Sequence, residues 1–419
     1  MIRFTFLFFL CTTHTLVMAD EAYAGTAAGP LVYTLDAQQL EDAKRRVQAG
    51  DPQLLPAYRG LLHSADKALS TAPFTVTEKG VKPPSGDKHD YLSMAPYWWP
   101  DPGKADGLPY VRRDGRINPS TKDNDTDSKR IDNFSDAVGT LGIGYYFSGD
   151  ARYAQHAALL LRTWFLDPAT RMNPNMKYAQ AVMGVADGRG TGIIDTRHFW
   201  QVVDAIGLIT PSGELSAADL AGLRQWFADY TQWLMTSKGG HDEAAAPNNH
   251  GSYFDEQVAN YALFTGDKAL AHKVIAQALD KRLGAQIASD GRQPLELVRT
   301  RAYHYSTFNL QALFRLARYG EQAGVDVWFY PDAARPALRS ALEYLTPYVT
   351  NPSSWPYKDI QGVAYEDYLP LMLQAEHVYG PLPHAAAVER TLRGHLPAAQ
   401  DWLFWPVRGA GTQPGQPAS

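Results

Sequence analysis

A single cysteine, Cys11, is the only thiol in a chain of 419 residues. A disulfide framework and any Cys-based zinc site are thereby excluded. Positive charge is not in excess either: 39 Lys and Arg stand against 44 Asp and Glu, net −5. A generic binder of nucleic acid or of an anionic membrane surface needs a basic face, so no nucleic-acid partner is expected. Beyond the N-terminus no apolar run is long enough to cross a bilayer, and no membrane insertion is expected. A His-Glu-x-x-His pattern, an acidic calcium loop and a β-hairpin signature are all missing. What the chain does have is rings, 23 Tyr, 10 Trp and 16 Phe, in a sequence that is 45% hydrophobic and can bury a large core.

The first residues read as an export signal. Arg3 precedes the mostly apolar stretch Phe6 to Val17, and Val17-Met18-Ala19 fits the small-residue rule for cleavage after Ala19. Leu10 stands where a lipid-anchoring cysteine needs a small neighbour, so Cys11 leaves with residues 1–19. The expectation is a secreted or periplasmic protein whose residues 20–419 form one domain, with about ten disordered residues at the end.

Helical periodicity dominates that domain. Thr34 is expected to cap a helix from Asp36 to Ala49, with Gly50 as its stop. Paired helices follow. Phe134 to Tyr146 ends in Phe147-Ser148-Gly149-Asp150 before a second helix carrying Ala154, Ala157, Leu160, Leu161 and Trp164. Tyr253 to Leu263 ends in Phe264-Thr265-Gly266-Asp267 before Leu270, Val274, Ile275 and Leu279. The shared aromatic-hydroxyl-Gly-Asp turn marks one unit used twice. Further helices are expected at Ala217 to Leu234, Tyr305 to Ala323, Ala334 to Tyr348, Tyr365 to Tyr379 and His384 to Leu396. Long segments rich in Pro, Gly, Asn and aromatics interrupt them: Phe74 to Asp127, Asp167 to Thr196, Ser237 to Asn249 and Asn351 to Gly362. Loops of that length in a compact domain are usually functional. The expected fold is all-α, an (α/α) toroid built as an incomplete barrel of about six to seven helical hairpins, chosen over an open solenoid because the long aromatic loops need a shared mouth to line.

Three segments concentrate polar and aromatic groups. In His89 to Pro102, stacked rings with interleaved hydroxyls and carboxylates suit sugar faces, and its prolines forbid a regular helix. In Pro247 to Tyr253, the Asn249 amide can donate to a carboxylate and His250 can exchange a proton near neutral pH, while Asn248 can serve simply as an N-cap. In Pro294 to Ser306, Arg299 and Tyr305 can converge, Arg301 being left for Glu296 or solvent. An Arg beside a Tyr favours the phenolate. Gly188 to Gly192 has no βαβ context and is not a dinucleotide fingerprint.

Those three segments, with Asn175-Met176-Lys177-Tyr178-Ala179-Gln180 and Gly188 to Arg197, resemble the alginate lyase superfamily of α/α-toroid polysaccharide lyases. The arrangement is most similar to its polysaccharide lyase family 38 branch of glucuronan and mannuronan lyases, and more distantly to family 5 alginate lyases. Tyr97-Trp98-Trp99-Pro100 and Asn249-His250 are its most specific pieces, and it runs from about Tyr91 to Tyr365. The Arg-to-Tyr spacing is six here against seven in family 5, which leaves the partner Arg open between Arg299 and Arg301.

The resemblance implies β-elimination on an anionic polysaccharide: the C5 proton of a uronate leaves, the C4 oxygen is expelled, and a 4,5-unsaturated end remains. Asn249, His250 and Arg299 would neutralise the substrate carboxylate, on which charge builds. Tyr305 would serve as base and then acid, with His250 as the base for L-guluronate. No metal and no other cofactor is required. Lys88, Lys129, Arg189, Arg197 and Arg301 are the candidates to attract the polyanion. Because the chain as a whole repels it, a locally basic cleft is a necessary expectation. Tyr97, Trp98, Trp99, Tyr178, Gln180, His198, Tyr303 and Trp355 are the candidate sugar contacts, about half of the rings being expected to be core. Two rivals remain: a glycoside hydrolase using Asp195 with Glu296 or Asp255, and a non-catalytic polysaccharide-binding protein. The sequence is silent on oligomeric state.

Overall fold

A computed structural model describes residues 29–123 and 125–406. The expected signal segment with Cys11, and the expected disordered end, lie outside the described residues. The architecture is an α/α toroid. An inner ring runs through Leu55–Leu69, Ser128–Ser148, Phe199–Ile209, Asn249–Thr265, Ala302–Ala323 and Tyr365–Tyr379, each packed on the next. The short helix Asp401–Phe404 packs on both Tyr365–Tyr379 and Leu55–Leu69 and closes the circle. Ala151–Leu161, Ala217–Thr236, Lys268–Ala278 and Ala337–Leu345 pack around it as outer partners. The inner helix Asn249–Thr265 is buried along nearly its whole length, as a helix with neighbours on every side must be.

The repeated turn forms as its residues dictate. Gly149 and Gly266 take left-handed conformations, φ +73° and +86°, and the Asp after each caps the next helix through its carboxylate. Beneath the loops the rings pack on one another: Phe134 stacks on Trp164 at 4.6 Å, and Trp226 meets Phe165 edge-on at 4.6 Å.

Several expectations shift. Asp36, not Thr34, caps the first helix, Ala37–Gln48. Thr34 belongs to a clasp instead. The backbone N–H groups of Tyr33, Thr34 and Leu35 all donate to the buried Asp204 carboxylate, at 2.7 to 3.2 Å. The Thr34 hydroxyl pairs with the Tyr319 hydroxyl at 2.8 Å, and Tyr319 donates to Glu256, which also holds Arg315. The Ser237 to Asn249 segment contains a helix, Lys238–Ala244. The aromatic segments carry two small sheets that periodicity does not announce: Leu92–Met94 runs parallel to Tyr178–Ala181, and Trp98–Trp99 pairs antiparallel with Val111–Arg112. Both are too short to show alternation. A buried ion pair, Lys79 to Asp127 at 3.0 Å, ties the two ends of the first long segment together. Among the described residues no helix is long and apolar enough to cross a membrane.

Candidate active site

The two inner helices Asn249–Thr265 and Ala302–Ala323 both begin at the mouth of the ring. Their first turns, with the positive ends of their dipoles, face a cleft of roughly 620 Å³. Asn249, His250, Arg299, Arg301 and Tyr305 line it, with Tyr97 and Trp98 from the first long loop and Gln180, Arg189 and Arg197 from the second. Six cations border this space, Arg112, Lys122, Arg189, Arg197, Arg299 and Arg301, against one lining carboxylate, Asp195. A protein of net negative charge thus presents a basic cleft.

Each reactive group is held by a second residue. Asn248 occupies the N-cap position without a side-chain capping bond. Asn249 is pinned by the buried Glu296: its backbone N–H donates to Oε1 at 2.8 Å and its Nδ2 to Oε2 at 2.7 Å. That leaves the amide's second N–H available. His250 Nδ1 lies 2.6 Å from Oε1 of Glu243, a carboxylate only 1% exposed, so Nε2 is the ring nitrogen left for chemistry. Tyr305 donates its hydroxyl proton to the Tyr97 hydroxyl at 2.7 Å, and the Arg299 guanidinium covers its ring face at 3.6 Å.

The expectation that Arg299 would make Tyr305 acidic does not survive the geometry. Burial raises the phenol well above its usual range and the adjacent Tyr97 adds to that; Arg299 opposes both and is outweighed. Asp114 takes up the Arg299 charge through a two-pronged contact, Nη2 to Oδ1 at 2.8 Å and Nε to both oxygens at 3.2 Å. With Arg299 and Thr300 donating to it, the Asp114 carboxyl is held down at about 2 although burial opposes this. Arg301 differs. It lines the cleft, its Nε has no hydrogen-bond partner, and among the described residues no carboxylate lies within ion-pair distance.

Other sequence candidates lie elsewhere. Lys88 and Lys129 are exposed away from the cleft. Trp99 turns aside, its Nε1 donating to the Arg116 carbonyl at 2.9 Å. Tyr178 is buried with Leu92 and Ala181. Tyr303 is fully buried edge-on to Trp355, which packs among Tyr344, Tyr348 and Tyr357. His198 sits at the N-cap of Phe199–Ile209 off the cleft wall, its pKa driven down by burial and by Arg197. Of the carboxylates a hydrolase would need, Asp255 is locked to Arg282 at 2.6 Å and Glu296 to Asn249, and neither lines the cleft. Asp195 lines it, but accepts from Tyr91, Ser93 and Gln180.

Sequence reading missed Arg112, Lys122, His304 and Phe308 as lining residues. His304 was within reach, being next to Tyr305; its Nδ1 pairs with Asp367 at 2.7 Å and its ring stacks on Phe308. Arg112 and Lys122 are positioned by the loop's tertiary path, and Asp114 by Arg299, 185 residues away, whereas Glu243 lies only 7 residues before His250. No local pattern marks the first three.

The chain and its fold have counterparts in known proteins. Residues 75–355 match the alginate lyase family model. The crystal structure of an alginate lyase from Bacteroides ovatus is similar at 37% identity and TM-score 0.84, over 90% of this chain and all of that one. Alginate lyase A1-III from Sphingomonas species A1 shares the fold at 17% identity and TM-score 0.57, over 90% of this chain and 96% of that one. A histidine-to-alanine variant of that enzyme complexed with a tetrasaccharide gives the same score, over 88% and 95%. No curated protein matches. A family model spanning most of the chain and a relative of this identity, on a toroid whose mouth carries Asn249, His250 and Tyr305, lead to one conclusion: the chain belongs to the alginate lyase family and is a polysaccharide lyase.

Proposed function

We propose that the protein cleaves a (1,4)-linked polyuronate, glucuronan or mannuronate-rich alginate, by β-elimination and leaves 4,5-unsaturated uronate ends. The observation that carries this reading is the meeting of Tyr305, the Asn249–His250 pair and a cation without a carboxylate partner, Arg301, in one basic cleft. The C5 proton is acidic only if the charge building on the neighbouring carboxylate is met by donors fixed in advance. Asn249, oriented by Glu296, and His250, oriented by Glu243, supply hydrogen bonds; Arg301 supplies charge. Arg299 is spent on Asp114 and on the ring of Tyr305, so its role is to shape the phenol rather than to hold the substrate. Tyr305 takes the C5 proton as phenolate and returns it to O4 as phenol wherever both positions share a face, as in mannuronate and glucuronate. The positions of Asp255 and Glu296 disfavour the hydrolase. An export signal at residues 1–19 would bring the enzyme to extracellular or periplasmic polymer.

The burial that keeps Tyr305 protonated favours a second reading, with His250 Nε2 as base and Tyr305 as acid only. A panel of polyglucuronate, polymannuronate, polyguluronate and hyaluronan, assayed by the ultraviolet absorbance of the unsaturated product, tests the function. The pH profile separates the two readings. A base with a raised pKa gains its active form as pH rises, so the Tyr305 scheme gives a rate on polymannuronate that climbs through the alkaline range and keeps climbing in His250→Ala. If His250 is the base, that ascending limb disappears in the variant. Unsaturated product from none of these polymers would overturn the polyuronate reading.

A further inference from the structure

Behind the cleft, a buried chain of neutral side chains joins the two helices that carry the chemistry. It starts around the first turn of Asn249–Thr265, passes through residues 285–301, and ends inside Ala302–Ala323. Gln286 Nε2 donates to the Asn248 carbonyl at 3.3 Å, and its Oε1 accepts from Ser252 Oγ at 2.9 Å. It thus grips the backbone on both sides of Asn249 and His250. Gln293 Nε2 donates to the Ser306 carbonyl at 3.0 Å, one residue past Tyr305. Asn309 closes the gap: its Nδ2 donates to Gln286 Oε1 at 2.9 Å and to Gln293 Oε1 at 2.8 Å. Ser252, Gln286, Gln293 and Asn309 are each at most 3% exposed.

The two ends of this ladder dictate its middle. Asn248 and Ser306 present backbone carbonyls, which only accept. Each glutamine must therefore turn its NH2 group outward and its oxygen inward. Two inward acceptors are joined, among neutral side chains, only by a carboxamide, since a hydroxyl has one donor and a carboxylate none. Asn309 meets that requirement with its nitrogen alone. Its Oδ1 is buried and has no hydrogen-bond partner among the described residues. A buried orphan acceptor costs stability, and so does an Asn inside a helix. A leucine of the same shape would avoid both costs, so what the carboxamide contributes is a fixed distance between the two glutamines.

We propose that Asn309 is a positioning residue for the elimination: through Gln286 and Gln293 it sets the separation of the Asn249–His250 pair from the Tyr305 hydroxyl. Glu296 and Arg299 each orient a single group from the same connecting segment, whereas Asn309 fixes the spacing of the two helices that bear those groups. The proposal rests on the lyase reading, in which one helix meets the carboxylate while the other moves the proton. A reaction shared between two helices is sensitive to their spacing.

Steady-state kinetics test it, on the homopolyuronate that the wild-type chain cleaves fastest and well below the melting temperature of every variant. Asn309→Leu keeps the shape and removes both donors. It should lower kcat about 10- to 100-fold with KM within about twofold, because the cleft cations still hold the polymer. Asn309→Ser, which keeps one donor, should recover part of the rate. Gln286→Met and Gln293→Met each cut one half of the ladder and should lower kcat by a similar factor. Adding either to Asn309→Leu should cost little more. An unchanged kcat per folded molecule beside a lower melting temperature marks a purely structural role and overturns the proposal. A rise in KM with kcat steady, or losses that multiply, overturn it as well. If Asn309→Leu fails to fold, the two Met variants decide by the same split between kcat and KM. Failure of the lyase reading shows separately, as absence of unsaturated product from the wild-type chain on any homopolyuronate.

Discussion

Two regions of this molecule are equally rich in rings and do different work. Around the cleft, Tyr97, Trp98, Tyr305 and Phe308 face open volume and guanidinium groups. Around Trp355, the rings of Tyr303, Tyr344, Tyr348 and Tyr357 each meet its indole edge-on or tilted, with ring centres 4.7 to 6.4 Å apart. The first group is completed by a ligand and the second by itself. Aromatic content alone therefore does not separate a sugar site from a core; the company of unpaired charge does.

The largest effect expected from this contrast is at Tyr305. Tyr305→Phe removes one hydroxyl and should cut formation of unsaturated product at least about 10³-fold while the polymer still binds, because the same group moves the proton twice. A near-normal rate would break the contrast at its centre. Next comes His250→Ala, expected to cost about 10²-fold on polyguluronate and less on polymannuronate, measured as kcat on each. Glu243→Gln keeps the shape of the support for His250 but not its charge. It should cost about tenfold in kcat with KM little changed, a split that a merely destabilised chain would not show. Salt is milder still. Raising ionic strength from about 0.01 to 0.15 M shortens the screening distance from about 30 to 8 Å, and KM should rise several-fold with kcat steady. The smallest effect on catalysis belongs to the other region: Trp355→Ala, at a half-buried ring, should leave the rate per folded molecule within about twofold, yet lower stability by about 1–3 kcal/mol in denaturant titration. If Trp355→Ala instead raises KM selectively, the second cluster also touches substrate.

How much of this the sequence disclosed depends on how local the cause is. The aromatic-Gly-Asp turns were legible because a left-handed glycine and a capping Asp leave a fixed spacing. The Asn249–His250 pair and Tyr305 were legible because they open helices inside unusual segments. Trp355 and Tyr303 misled because a ring in a polar-rich stretch looks alike whether it faces a sugar or another ring. Lys88 and Lys129 misled because charge was counted without direction. Arg112 could not be placed, since a strand of two residues has no period to read, and Trp98 is brought opposite it only by that pairing. Of the partners that orient the chemistry, Glu296 and Asp114 meet their targets 47 and 185 residues away, across the fold, while Glu243 sits 7 residues before His250.

The clasp at the start of the described chain bears on how the protein is assembled. Residues 33–35 are synthesised long before Asp204 and Tyr319 exist, and Thr34 lies 285 positions from its tyrosine partner. The helix that ends the clasp, Ala302–Ala323, also carries Tyr305 at its other end. Three amide protons and a hydroxyl must therefore wait, solvated, until most of the toroid has been made. Contacts that span so much sequence pay their closure entropy late, which places seating of the clasp near the end of folding. On that order of events, a nascent chain interrupted before Tyr319 would hold many finished hairpins and no closed circle, and competence for catalysis would arrive in one step with roughly the last quarter of the polypeptide.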